Sequence, residues 1–406
     1  MGQADDRGSE GDPLGTKRVM DDLVLGIARD AAVSVYDMLV ESVEESGETA
    51  TWKTADRETD EMVYQAHVYA GTAGISLFLS DYGRVCSEPR AIALAEKALN
   101  WVMSDDNEPT FSQLPEDFRI SLAVGKEGVA LGWLKRSQSE GDGDTRSLEK
   151  AVDIADHLLT CDPLKRPGLL IGTAGCGILL LRLWEQTGDG KYLDRAREWA
   201  EYILTDQWDT HNYLGMGQGF AGIGHFWMAF HDLTGDSAWI DLLHKTAEKL
   251  IEHAEPNQGY LNWRRVLEEP EMTRSQWCHG GAGVGQFFAR AYPKTNDSRY
   301  LEYAVSAGEC TYAYGDDTQQ PGQCHGLVGK AELFVELFRV TGEPRWHDRA
   351  SEFIDLTLGY RHETGDGIRW LAECPDVYSP DFMRGAAGVG HFFLRVMNPG
   401  LCLPLL

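Results

Sequence analysis

The chain has 406 residues, 43% of them apolar, which is enough for a sizeable core and too many for a disordered polypeptide. Its 37 basic residues against 64 acidic ones leave a formal charge of −27, so long-range repulsion argues against nucleic acid and anionic membranes as partners. Arg outnumbers Lys about two to one, and an acidic, Lys-poor surface of this kind suits high salt.

In chain order, residues 1–16 ("MGQADDRGSEGDPLGT") read as a disordered acidic tail with no apolar core for a secretory signal. The Met-Gly start does not complete a myristoylation motif, because Asp6 stands where Ser or Thr is needed. An amphipathic helix is expected over about 17–43. Seven GxxG motifs then follow, with first glycines at Gly71, Gly125, Gly172, Gly219, Gly280, Gly326 and Gly385, 46 to 61 residues apart. That period suits two helices and their loops. Each GxxG opens an apolar helical run, such as "AELFVELFRVTG", and a Thr-Gly-Asp type of break leads into a more polar amphipathic run, such as "DGKYLDRAREWAEYIL". The most apolar stretch, Gly168–Leu181, is too short and glycine-rich to span a bilayer and fits a buried helix.

The unit is therefore an inner helix, a tight turn and an outer helix. Glycines at i and i+3 on one face let backbones approach where helix ends crowd around an axis. The seventh inner helix has no outer partner before Leu406, and the first helix has no inner one. Docking the first beside the last closes a ring, so the expected fold is all-α: an (α/α) toroid of seven helical hairpins, one domain over 17–406. An open solenoid is the alternative.

In such a ring the two residues before each first glycine line one mouth of the central hollow. They read Tyr69-Ala70, Ala123-Val124, Leu170-Ile171, Gly217-Gln218, Cys278-His279, Cys324-His325 and Met383-Arg384. Only the fifth and sixth repeats place soft ligands there. Neighbouring inner helices start about 10 Å apart, a gap that two inward sulfurs can bridge to one tetrahedral ion. Thiolate and imidazole select zinc over magnesium or calcium. Cys278, Cys324 and His325 would leave a fourth position open to water or substrate, as in a catalytic site. The plainer alternative is two buried thiols, with His279 and His325 bonded to nearby carbonyls. Eight cysteines in a chain without an export signal point to reduced thiols in the cytoplasm.

The seven GxxG repeats, "RSQWCHG" with its Arg274, and "QCHG" 46 residues later resemble the lanthionine synthetase C-like family, over nearly the whole chain from about residue 17. The resemblance implies a toroid holding Zn2+ through Cys278, Cys324 and His325. It also implies addition of a thiol to dehydroalanine or dehydrobutyrine, forming a thioether. In the lanthipeptide cyclases the thiol is a cysteine of a dehydrated precursor peptide, and in eukaryotic relatives it is glutathione. Arg274 matches the family arginine that could hold the enolate formed when sulfur attacks the β-carbon. Its bland role is a salt bridge to a surface acid such as Glu271. Arg384 is a second candidate.

Two positions depart from the family pattern. Gln218 stands where the bacterial cyclases carry a His, and Gly168 where they carry an Asp, so the usual acid/base pair is absent. His279 is the nearest replacement, and His225 on the fourth inner helix is another. No P-loop or kinase signature is present, so a separate dehydratase would have to prepare a peptide substrate. A non-catalytic zinc-bearing scaffold that binds a modified peptide or a partner enzyme is the alternative function. A glycan hydrolase on the same toroid would need two cavity carboxylates, and Glu127 is the only acid inside a GxxG.

Overall fold

The computed structural model describes residues 18–139, 145–272, 274–373 and 376–406, without the side chains at 108, 109, 116 and 117. The expected acidic tail, residues 1–16, lies outside them. The seven inner helices are Thr72–Val85, Lys126–Ser137, Thr173–Thr187, Phe220–Thr234, Gly281–Thr295, Leu327–Thr341 and Ala386–Met397. Every one starts at the residue after its motif's first glycine.

The entering loop explains that regularity. In five repeats the N–H of the first helical residue donates to a carbonyl seven residues earlier, as Thr72 does to Gln65 (2.8 Å) and Leu327 to Gln320 (3.0 Å). The loop thus supplies acceptors for the open end of the helix, where no side chain caps it. In all seven repeats a Cβ on the second glycine would overlap the carbonyl three residues before the first glycine. The motif's glycines therefore admit the chain's own entering loop, where the sequence reading had them admitting a neighbouring helix.

Four inner helices end in copies of one turn. The Thr187, Thr234, Thr295 and Thr341 hydroxyls each accept from the backbone N–H two residues on, at 3.1–3.3 Å, while donating back to a carbonyl four residues earlier. The residue between is left-handed: Gly188 at φ 69°, and Asn296, the non-glycine type that best tolerates this region, at φ 56°.

Six outer helices return antiparallel: Pro89–Val102, Arg146–Ala155, Gly190–Tyr202, Ala238–Glu252, Ser298–Tyr314 and Pro344–Leu358. Gly190–Tyr202 buries Tyr192, Ala196, Trp199 and Ala200, a helical stripe on an otherwise charged segment. Replacing Trp199 by Ala there would cost about 3–5 kcal/mol. The seventh outer position is taken by the first helix, Asp22–Ser42, started by Asp21 Oδ1 accepting from Val24 N–H (2.9 Å) and packed on Ala386–Met397, with Val35 against Gly390. Each inner helix touches the next, and the last touches the first, so the ring is closed as expected.

Four short antiparallel hairpins, not foreseen from the sequence, lie among the outer connections: Glu44–Ser46 with Thr49–Thr51, Lys53–Ala55 with Met62–Tyr64, Glu255–Asn257 with Tyr260–Asn262, and Arg361–Thr364 with Gly367–Trp370. At the end of the hollow opposite the glycine motifs, Leu401, Leu403, Leu405 and Leu406 are buried in the core. Among the described residues no helix is long and apolar enough to cross a membrane.

Candidate metal centre

The residues two before each first glycine do more than line a mouth. Their backbones form a closed circle of hydrogen bonds, each N–H donating to the next repeat's carbonyl: Tyr69 to Ala123 (2.8 Å), Ala123 to Leu170 (3.0 Å), Leu170 to Gly217 (2.8 Å) and Gly217 to Cys278 (3.0 Å). Cys278 then donates to Cys324 (3.3 Å), Cys324 to Met383 (2.8 Å), and Met383 back to Tyr69 (3.0 Å). Hydrogen-bonded neighbours of this kind stand about 4.8 Å apart, as strands do. The helix-diameter spacing expected from the sequence is therefore an overestimate at this level.

The consequence is a ready donor set. The Cys278 and Cys324 sulfurs and a His325 ring nitrogen all lie within 4.8 Å of one another. Two sulfurs on one tetrahedral zinc, each about 2.3 Å from it, stand about 3.8 Å apart, a separation within that limit. Both cysteines are at most 3% exposed. His325 Nδ1 lies 3.2 Å from Glu373 Oε1, the carboxylate-to-imidazole arrangement that orients a metal-binding ring. Glu373 in turn faces Arg384 Nε at 3.9 Å. Two soft sulfurs and one imidazole oriented by the Glu373 carboxylate fit zinc.

Electrostatics set the free donors apart from ordinary thiols. Burial, with the neighbouring Cys324, pushes the Cys278 thiol well up. Burial acts the same way on Cys324, but bonds from Cys278 and Tyr69 and the charge of His325 outweigh it and hold this thiol well below its usual range. His325 is disfavoured as a cation by burial, yet Cys324 and Glu373 raise it to about 10. Tyr69 reaches Cys324 with its phenol, which burial and the two cysteines keep protonated far above the usual range.

The other expected residues are distributed as follows. Arg274 is half-buried, with Nη2 3.7 Å from Glu269 rather than paired with Glu271, and its charge bears on Cys278 and His279. Burial, helped by His325, Arg265 and Arg274, pushes His279 down to about 3, so it is a neutral imidazole. Gln218 is half-buried at the mouth beside the circle. Gly168 has no room for a carboxylate: a Cβ there would stand 2.6 Å from Gln218 Cα. Arg384 is 3% exposed and donates to the Ala55 carbonyl at 2.6 Å, so it braces Glu373 and a hairpin. His225 lies away from the mouth, buried on the fourth inner helix and facing a cavity of about 810 Å³ at the opposite end. Glu127 is bound to Ser121 N–H (2.7 Å) and to His157 Nε2 (2.9 Å), a structural role.

Sequence reasoning missed three residues. Tyr69 was in the aligned positions but offered no ligand chemistry. Glu373 lies in an irregular connection with no motif around it. His211, seven residues before Gln218, folds back onto the Gln218 backbone, stacks on Tyr213 at 6.0 Å and is pushed to about 4 by burial. Tyr213 in turn lies 6.1 Å from the His279 ring, so the His211 and His279 imidazoles flank one tyrosine.

Comparison with known proteins gives the family and the fold. Residues 63–403 match the family profile described as lanthionine synthetase C-like protein. "Glutathione S-transferase LANCL1" of Danio rerio is 27% identical over 197 residues, 48% of this chain and 46% of that protein. "LanC-like protein GCL1" of Arabidopsis thaliana is 29% identical over 148 residues, 35% of this chain and 31% of that protein. The matched region thus spans less than half of each of these relatives. The solved structure of nisin cyclase superposes with a TM-score of 0.61 at 16% identity, over 92% of this chain and 95% of that one, which establishes a shared toroid.

Proposed function

The chain belongs to the lanthionine synthetase C-like family, and on that premise we propose that it catalyses zinc-dependent addition of a thiol to a dehydroalanine or dehydrobutyrine residue. The product is a thioether, either a lanthionine-type ring in a peptide or a glutathione conjugate. The observation that carries this reading is the convergence of Cys278, Cys324 and His325 within 4.8 Å. Zinc held by those three residues would supply the positive charge that keeps a substrate thiol ionised at neutral pH.

The remaining work falls to this chain's own side chains. As sulfur bonds to the β-carbon, the double-bond electron pair moves to the α-carbon and carbonyl, and Arg274, whose charge bears on Cys278 and His279, would hold the enolate. The proton lost by the thiol must return to the α-carbon. His279, next to Cys278 in the chain, would relay that proton, holding it only transiently because burial keeps its basicity low. Gln218 can hold a peptide amide but cannot exchange a proton near neutral pH. Tyr69 donates to the Cys324 sulfur and so limits how much charge that ligand returns to the metal. A peptide substrate would come from a separate dehydratase.

The filled space at Gly168 favours a second reading, a zinc-bearing scaffold that binds a dehydrated peptide without turning it over. One experiment separates the two. Zinc-loaded protein is incubated with a dehydrated peptide and either the peptide's own cysteine or glutathione, and free thiol is followed. Loss of thiol that disappears in Cys324→Ala supports the enzyme. A dehydrated peptide that binds but keeps all its thiol supports the scaffold.

A further inference from the structure

We propose that the buried ion pair between Glu332 and Arg395 is a positioning device for the two metal-binding cysteines, acting through the residues that immediately precede them. The inference rests on the zinc reading above. Glu332 is on the sixth inner helix and Arg395 on the seventh, and each is 5% exposed. Their side chains meet directly between these two helices.

Each partner also reaches one cysteine corner. Arg395 Nη2 donates to Gln323 Oε1 at 2.8 Å, and Gln323 is the residue before Cys324. Glu332 Oε2 accepts from Gln286 Nε2 at 3.0 Å. Gln286 Oε1 accepts in turn from the Trp277 indole N–H at 3.2 Å, and Trp277 is the residue before Cys278. Gln323, Trp277 and Gln286 are all at most 1% exposed. Both halves of the repeated Cys-His-Gly signature are therefore tied to one anchor, and the residue ahead of each cysteine, Trp in one motif and Gln in the other, acquires a role.

The physical argument concerns specificity rather than stability. Desolvating two charges costs about as much as their attraction returns, and apolar replacements of similar volume are often neutral. The pair's distinctive effect is geometric. A rigid pair bonded to both corners, with Arg395 held in addition by His391 through Nη1, fixes how far the corners stand apart. The backbone circle alone does this loosely, since its Cys278-to-Cys324 bond is the longest of the seven at 3.3 Å.

The test uses the full chain and two readouts other than turnover: zinc affinity by competition with a chromophoric chelator, and the absorption spectrum of the cobalt(II) form. Glu332→Gln and Arg395→Met are expected to weaken zinc binding about 10–100-fold, the usual effect of losing a group that orients a metal ligand, and to shift the cobalt bands. Glu336→Gln, which disrupts the ion pair with Arg290 one turn further along the helices of Glu332 and Gln286 and away from the cysteine corners, serves as the control and is expected to leave both readouts at wild-type values. If either network variant fails to fold, Gln286→Leu and Gln323→Leu cut one anchor each and report the same quantity. Wild-type affinity and spectrum in folded network variants would overturn the positioning role while leaving the zinc reading intact. A wild-type chain that takes up no zinc would overturn both.

Discussion

Gly168→Ala is expected to destabilise the protein by about 2–4 kcal/mol, although it adds a single methyl group. The new Cβ would stand 2.6 Å from Gln218 Cα, 2.8 Å from its carbonyl oxygen and 3.0 Å from its carbonyl carbon, all main-chain atoms of the next repeat. Carbon atoms in contact prefer about 3.5–4.0 Å, so the third and fourth repeats must part by roughly 1 Å. The same two segments share the Leu170-to-Gly217 bond of 2.8 Å, which that movement stretches. Overpacking of this kind costs about 1–3 kcal/mol and the lost hydrogen bond about 1 more. Urea denaturation followed by far-ultraviolet circular dichroism, wild type beside variant, measures the difference. Gly168→Asp, which restores the residue type the bacterial cyclases use there, should be at least as unstable and gain no thiol-addition activity. An alanine variant that unfolds at the wild-type midpoint would refute the claim that the missing acid is excluded by packing.

Arg274→Met should lower thiol addition about 100-fold, the size expected for losing an oxyanion partner, while zinc content stays at wild-type level; an equal loss of zinc would assign Arg274 to the fold instead. Tyr69→Phe removes a donor from the Cys324 sulfur, so the sulfur-to-cobalt charge-transfer band of the cobalt form should move to longer wavelength with no change in metal stoichiometry. A band at unchanged energy contradicts that contact. Asp81 carries the pH prediction. Burial pushes its carboxyl up, but Lys135 at 3.3 Å, His391 at 2.9 Å and Arg84 at 3.0 Å together hold it below its ordinary value. A depressed acid contributes stability above its unfolded pKa of about 3.9 and loses it as pH falls through the lower folded value. Asp81→Asn, which leaves Lys135 uncompensated, should therefore cost about 3–5 kcal/mol at pH 7 and progressively less on acidification below pH 4. Urea midpoints at pH 7 and pH 3 decide this, and a gap that does not narrow contradicts it.

The ring itself was legible because its signals are local and repeated. A glycine pair with an apolar helical run behind it marks each inner helix, and all seven helices begin where the motif places them. Pairing the first helix with the last followed from counting unpartnered elements. The metal cluster was legible for the same reason, since equivalent positions in adjacent repeats must be neighbours. Its scale is smaller than a helix diameter because Cys278 and Cys324 lie in the bend and the turn ahead of the helices, whose backbones bond to each other. Glu373 and His211 could not be found, because each reaches the site through a connection whose path depends on tertiary packing. Arg361–Trp370 was passed over because two short strands around "TGDG" resemble the helix-to-helix breaks elsewhere in the chain. Gly168 was read as a missing function; only the distance to Gln218 reveals it as a required vacancy of side chain.

The seven-bond circle is a closed hoop. A linear repeat array can fray from its ends one unit at a time, but a hoop has no end unit from which opening can begin. A metal drawing Cys278 and Cys324 together would shorten the slackest link, and the strain would be distributed around the whole circumference. Zinc should then slow hydrogen–deuterium exchange at all seven amides, including that of Leu170 on the far side, and not only at the two cysteines that touch it.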